Sequence, residues 1–287
     1  PRSAETYQAG LDRLRTSYDV RQAWTAGPER GYLAAPDAER VAALHRAIEA
    51  PDIRAIVCVR GGYGCLRLLP EIDWALARKH PTLLVGYSDV TALHLAFYTK
   101  ANWAGLSAPV VTEWPQADDA TLASFRGWAA GQTPGFVEAF DASPTALAPG
   151  TAVGPLLGGN VAVLTRLLGT PFAPDFEGAI LVLEEVAEAP YRVDRMLTHL
   201  QQAGVLDAVA GVALGTFTTG SLDSDTPTQS LEEVFQDYLA GRPYPVVQGL
   251  PYGHHLPRCS LPIGVPVRLH ATSAHVSLAA QAPLVDL

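Results

Sequence analysis

Three residue types able to carry out nucleophilic catalysis stand where a fold can deliver them to one point. Ser88 lies in Leu83-Leu84-Val85-Gly86-Tyr87-Ser88-Asp89-Val90-Thr91, where an apolar strand breaks into a tight turn followed by a helix start. A serine hydroxyl is a poor nucleophile at neutral pH and needs exposure, a neighbouring base and N–H donors for the oxyanion. A strand-turn-helix junction supplies exposure and donors together. The other two requirements are a base and an acid to orient it. Leu181-Val182-Leu183-Glu184-Glu185 runs an apolar strand into paired carboxylates, and Gly249-Leu250-Pro251-Tyr252-Gly253-His254-His255 sets imidazoles in a Gly- and Pro-punctuated loop. A fourth segment, Arg60-Gly61-Gly62-Tyr63-Gly64, offers unhindered backbone N–H groups suited to an anion. Taken singly, each has a plainer reading: Ser-Asp is a common helix cap, paired Glu a solvated rim, a loop His a turn residue and Gly-Gly a simple turn. The conjunction in the order nucleophile, acid, base is what points to acyl transfer.

Presenting these groups requires alternating strands and helices. Helices are predicted over Ala4–Arg15, Pro36–Glu49 and Val90–Lys100, with strands at Tyr18–Val20, Ala55–Val59 and Leu83–Gly86. This alternation is that of a parallel sheet with crossover helices. Nothing before the first helix supplies an opening strand, so a segment upstream of Pro1 is expected. Thr133–Gly154 is rich in Pro, Ala, Gly, Ser and Thr without periodicity and reads as a linker. Helices at Gly159–Leu168, Val193–Ala203 and Ser230–Ala240 then mix with strands at Ala179–Leu183, Val209–Leu214, Val265–Leu269 and Ala274–Leu278. The expected division is residues 1–132 bearing Ser88, a linker 133–154, and residues 155–287 bearing Glu184 and His254.

With 287 residues, 48% hydrophobic and 17% charged, the chain has the makings of a well-packed globular enzyme. A net charge of −9 argues against a nucleic-acid partner. Cys58, Cys65 and Cys259 are too few and too scattered for a disulfide framework or a metal site, and read as reduced thiols. No apolar run approaches the roughly 18 residues of a membrane span and no signal peptide opens the chain, so no membrane partner and a cytoplasmic location are expected.

The blocks Gly31-Tyr32-Leu33-Ala34, Arg60–Gly64, Gly86-Tyr87-Ser88-Asp89-Val90-Thr91-Ala92-Leu93-His94, Leu157-Gly158-Gly159-Asn160, Leu183-Glu184-Glu185-Val186, Pro190–Leu197 and Gly253-His254 cover nearly the whole chain. In their order they resemble the LD-carboxypeptidases of serine peptidase family S66, a group that includes the microcin C self-immunity peptidases. The resemblance implies an α/β protein with an N-terminal Rossmann-like parallel-sheet domain, a C-terminal mixed α/β domain and a site in the cleft between. It implies Ser88 as nucleophile, Glu184 as acid and His254 as base, with the N–H groups of Asp89 and the Gly61-Gly62 loop, Gly62 preferred, as oxyanion donors. It further implies a murein tetrapeptide substrate releasing terminal D-alanine, no cofactor or metal, and a homodimer.

Three features depart from the family pattern: no N-terminal strand, Glu185 where Asp is usual, and a doubled His at His255. Arg60 and Asn160 are candidates for binding the substrate's terminal carboxylate. Arg192, Asp194 and Arg195 read as structural ion pairs, and Tyr87 as either a cleft or a packed aromatic. Two rival substrate readings remain. A microcin-type peptidase acting on an aminoacyl or peptidyl nucleotide would want a longer inserted loop with aromatic groups, and the stretch between Ser88 and Glu184 contains Trp103, Trp114 and Trp128 but no evident extra segment. An α/β-hydrolase esterase would want glycine where Val90 stands. From another class, a non-catalytic anion-binding protein leaves the three residues unexplained as a set.

Overall fold

The computed structural model describes residues 4–23, 31–133, 140, 142–220 and 227–284. Strands β1 (Ala55–Val57), β2 (Leu83–Val85) and β3 (Gly105–Ser107) form a parallel sheet; β4 (Thr145–Ala148), β5 (Gly150–Asn160), β6 (Ile180–Glu185), β7 (Gly211–Phe217) and β8 (Val246–Gln248) follow in the chain. The last are β9 (Leu261–Ile263), β10 (Pro266–Ala271) and β11 (Val276–Ala280). Among the described residues there are two sheets, one ordered β1-β2-β3-β9 and the other β11-β10-β5-β6-β7-β8-β4. Helices α1 (Ala4–Arg15), α2 (Asp37–Glu49), α3 (Cys65–Leu68), α4 (Trp74–Lys79), α5 (Thr91–Ala101) and α6 (Asp119–Ala129) occupy the first half of the chain. The second half holds α7 (Val161–Thr165), α8 (Pro190–Gln202), α9 (Val205–Ala208) and α10 (Leu231–Leu239). The expected α/β class with two sheet-based lobes is what the chain adopts.

Two expectations are corrected. Residues 145–148 and 150–154, read as linker, belong to strands β4 and β5; residues 134–139 and 141 of that stretch lie outside the described residues. Gly150–Pro155 pairs antiparallel with β10 and Leu156–Asn160 pairs parallel with β6, so one strand serves two partners. Small residues are needed there because backbones approach closely: a Cβ on Gly154 would lie 2.0 Å from the Gly178 carbonyl oxygen. That requirement depresses the apolar signal by which a strand is recognised. Tyr18–Val20 is not a strand. Tyr18 instead sets its ring edge-on against Trp114 and Phe125, a packing role that makes no ladder.

β9 comes from the C-terminal part of the chain yet pairs antiparallel with β3, so the second half of the chain contributes a strand to the first sheet. β6 is buried along its entire length, as a parallel strand covered on both faces should be. α5, buried continuously from Thr91 to Phe97, is a core helix and not an amphipathic one. It joins the two sheets: the Asn160 N–H donates to Thr91 Oγ1 at 3.0 Å, fastening the end of β5 to the first turn of α5. The Ser88 turn precedes that helix, so this seam positions Ser88.

Candidate active site

β2 ends at Val85, and the chain reverses through Gly86 and Tyr87 into a 3-10 turn over Ser88–Val90 that continues as α5. Ser88 has φ 63°, a left-handed conformation rare for a residue with a Cβ. It is less buried than its neighbours Tyr87 and Asp89, so this strained turn presents the hydroxyl at the helix N-terminus. His94, one turn further along α5, holds the preceding strand end: its Nε2–H donates to the Gly86 carbonyl at 2.8 Å. Burial pushes its pKa down to about 4, which keeps the ring neutral.

His254 reaches this serine from the loop between β8 and β9. Its Nε2 lies 3.0 Å from Ser88 Oγ and its Nδ1 2.7 Å from Glu184 Oε2. Glu184, near the end of β6, is completely buried, and its other oxygen, Oε1, has no hydrogen-bond partner among the described residues. Gly253 makes the approach possible: its φ is 131°, and a Cβ there would meet Glu184 Oε2 at 3.2 Å. Glu184 thus faces the imidazole, which fixes Nδ1–H toward the acid and leaves Nε2 free to accept from the serine.

Glu185 does a different job. Its carboxylate accepts from Asn160 Nδ2 at 2.9 Å, the Ala162 N–H at 2.9 Å and the Val186 N–H at 3.0 Å. Burial raises its pKa despite these donors. Asn160 also caps α7, its Oδ1 accepting from the Val163 N–H at 3.1 Å. Both ends of the Asn160 amide thus make structural hydrogen bonds, one Nδ2–H to Glu185 and Oδ1 to the cap of α7. His255 is exposed, with Nδ1 at 3.0 Å from the Leu256 carbonyl oxygen, and takes no part in the line from Glu184 to Ser88.

The Arg60–Gly64 loop abuts Ser88. A Cβ on Gly61 would stand 2.9 Å from Ser88 Cβ and 3.2 Å from Oγ. The Asp89 carboxylate accepts the Cys65 N–H at 2.8 Å and so ties the far end of this loop to the nucleophile turn. The backbone N–H groups of Gly62 and Asp89 make no hydrogen bond among the described residues, which leaves both able to serve an oxyanion. The Arg60 side chain is exposed and folds over Gly62; it has no ion-pair partner among the described residues. The three cysteines are free, and burial raises the thiol pKa of Cys58 and Cys259 to about 12, so they are unreactive at neutral pH.

Sequence reasoning missed the layer behind His254. Arg258 is 3% exposed. It donates from Nη1 to the Gly253 carbonyl at 3.1 Å, pairs through Nη2 with Glu113 Oε2, and lies over the Tyr87 ring with 4.0 Å to its centroid. Tyr87 is thus a packed aromatic whose hydroxyl donates to Glu113 Oε1, and burial holds its phenol above the usual range. An arginine inside Leu256-Pro257-Arg258-Cys259-Ser260-Leu261 was the available sign of a buried, paired charge. Trp103, Trp114 and Trp128 are core residues, at most 3% exposed. Of the expected ion pairs, Arg192 does bind Glu188 at 3.1 Å. Arg195 lies over Tyr191, and Asp194 instead accepts from the Tyr238 hydroxyl at 2.6 Å.

Models of the LD-carboxypeptidase N-terminal and C-terminal domains match residues 1–108 and 153–269. The chain is 37% identical over 240 residues to the probable murein peptide carboxypeptidase of Bacillus subtilis, covering 82% of this chain and 75% of that protein. It is 34% identical over 250 residues to the murein tetrapeptide carboxypeptidase of Pseudomonas aeruginosa, covering 81% and 78%. Among solved structures, the muramoyltetrapeptide carboxypeptidase of Oxalobacter formigenes superposes with a TM-score of 0.85 at 29% identity, covering 96% of this chain and 94% of that one. An MccF-like protein of Bacillus anthracis shares the fold, with a TM-score of 0.85 at 24% identity over 98% and 92% of the two chains. On these matches the chain belongs to the LD-carboxypeptidases, the serine peptidases of family S66.

Proposed function

We propose that this protein removes the terminal D-alanine from murein tetrapeptides by cutting the bond between the L-centre of the diamino acid and the D-residue. The observation that carries this reading is the hydrogen-bonded line from Ser88 Oγ through the His254 ring to the buried Glu184 carboxylate, 3.0 Å and 2.7 Å at its two links. His254 Nε2 takes the serine proton as Oγ adds to the carbonyl carbon, and the same proton then passes to the leaving amine. The N–H groups of Asp89 and Gly62 receive the oxyanion at the N-terminus of α5. Water, deprotonated by His254, next releases the acyl group from Ser88. Glu184 stabilises the imidazolium formed in each step. Glu184 is completely buried and its Oε1 has no hydrogen-bond partner among the described residues, so its charge faces the imidazole in a low-dielectric surrounding.

An exopeptidase also has to recognise a free carboxylate, and the exposed guanidinium of Arg60, which folds over Gly62 and has no ion-pair partner among the described residues, can do so. The test is incubation of the purified protein with a murein tetrapeptide and quantification of free D-alanine, with an aminoacyl nucleotide and a simple acyl ester run in parallel. Release of D-alanine from the tetrapeptide is expected. Turnover of the nucleotide or the ester without D-alanine release overturns the reading.

A further inference from the structure

The catalytic pair meets across a seam between two sheets, and a hydrogen bond between side chains does not hold two lobes in register by itself. We propose that Arg258 is a positioning residue: one buried guanidinium fastens both the residue before the nucleophile and the residue before the base, and so sets the spacing of Ser88 and His254. Toward the base, Nη1–H donates to the Gly253 carbonyl at 3.1 Å. Toward the nucleophile, the guanidinium plane covers the Tyr87 ring at 4.0 Å. That ring in turn lies 4.8 Å from the His254 imidazole. Glu113 closes the arrangement by taking Arg258 Nη2–H on one oxygen and the Tyr87 hydroxyl on the other.

Arg258 is itself anchored, since its N–H donates to Thr121 Oγ1 on α6 at 3.0 Å. Tyr252 is tied separately, its carbonyl accepting the Thr216 N–H at 2.7 Å, whereas Gly253, with φ 131° and no side chain, is gripped through its carbonyl and its close packing on Glu184. A buried cation costs desolvation, which the Glu113 pair and the Tyr87 face offset. Arginine suits the post because its planar fork makes two directed hydrogen bonds and stacks at the same time, which an ammonium cannot do. The substrate does not need to touch Arg258; it acts through His254 and Ser88, so its loss should appear in the chemical step.

This inference rests on Ser88 and His254 being nucleophile and base, and the test separates the two questions. Arg258→Ala is assayed with the tetrapeptide, and its histidine imidazole protons are recorded by NMR without substrate. The expected result is a fall in kcat of about 100-fold, the scale of a 1 Å misplacement, with KM changed by less than about twofold. The downfield His254 Nδ1–H resonance should broaden, and methylguanidinium should recover part of kcat by refilling the cavity. If the single variant does not fold, Glu113→Gln/Arg258→Ala removes both charges and is judged by the same criteria. A folded variant with wild-type kcat and an unchanged imidazole resonance overturns the proposal, as does a loss confined to KM. The NMR measurement needs no turnover, so an unreactive tetrapeptide would count against the substrate and not against the brace.

Discussion

Glu185 turns away from the imidazole that its neighbour Glu184 holds. Successive side chains of a strand point to opposite faces, and here both faces are buried, so two adjacent carboxylates live in different environments. Glu184 has His254 Nδ1 at 2.7 Å and one oxygen without a partner among the described residues, whereas Glu185 is enclosed by three N–H donors, two at the start of α7 and one from Val186. One acid faces the imidazole and the other is bound into the fold.

Their amides should therefore fail differently. Glu184→Gln is expected to lower kcat by about 10³- to 10⁴-fold, because a neutral amide neither fixes the tautomer nor stabilises the imidazolium. Glu185→Gln should leave kcat within about tenfold but lose roughly 1–3 kcal/mol of stability, since an amide NH2 then faces N–H donors. D-alanine release and urea unfolding of the two variants make the comparison.

Ser88→Ala and His254→Ala are expected to reduce turnover to a similar residual level, and the double variant no further. Members of a catalytic unit are strongly non-additive. Single-turnover assays of all three proteins check this.

Gly61→Ala should impair the nucleophile while leaving the fold intact. The added methyl would lie 2.9 Å from Ser88 Cβ at a place where the loop is only partly buried. A lower kcat at an unchanged unfolding midpoint is the expected pairing.

Arg60→Ala should raise KM for the tetrapeptide more than it lowers kcat, because a charge pair with the terminal carboxylate is ground-state binding. The same variant should discriminate less against a substrate whose terminal carboxylate is amidated. Steady-state kinetics on the two substrates measure both effects.

His94 should make the protein acid-sensitive. Its native pKa, pushed down by burial to about 4, lies below the unfolded value, so between pH 6.5 and 4 the unfolded state binds the extra proton. Stability from this group is complete above about pH 6.5 and falls as pH drops toward 4, by on the order of 3 kcal/mol. His94→Gln keeps a donor for the Gly86 carbonyl without a titrating ring. The difference in unfolding free energy between wild type and variant should thus shift against wild type on acidification, as urea titrations at pH 7 and 4.5 would record.

Much of the fold was legible because local chemistry dictated it. α1 spans the predicted Ala4–Arg15, and α2, α5, α10 and the terminal hairpin lie within two residues of their predicted ends, since helical apolar spacing and turn residues act over short distances. β4 and the first half of β5 were hidden, because strands built for close backbone contact use glycine and alanine and so resemble a linker in composition. β3, β8 and β9, of three residues each, carry too little pattern to be recognised alone. Arg60 and Asn160 looked equivalent as carboxylate binders. The tertiary structure separates them: Asn160 caps Val163 and binds Glu185, whereas Arg60 is exposed and has no ion-pair partner among the described residues.

The sequence alone determined the α/β class and the family, and its resemblance implied Ser88, Glu184 and His254 as a set in that order along the chain. These rest on residue types and short spacings, which a one-dimensional string preserves. Tertiary structure decided which glutamate meets the imidazole, that Ser88 carries the strained φ of 63°, and that Arg258 and Glu113 stand behind the base. Those depend on contacts between residues separated by 70 to 166 positions, such as Glu184 with His254 and Ser88 with His254. Such contacts are set by how the sheets pack, and no local pattern records them.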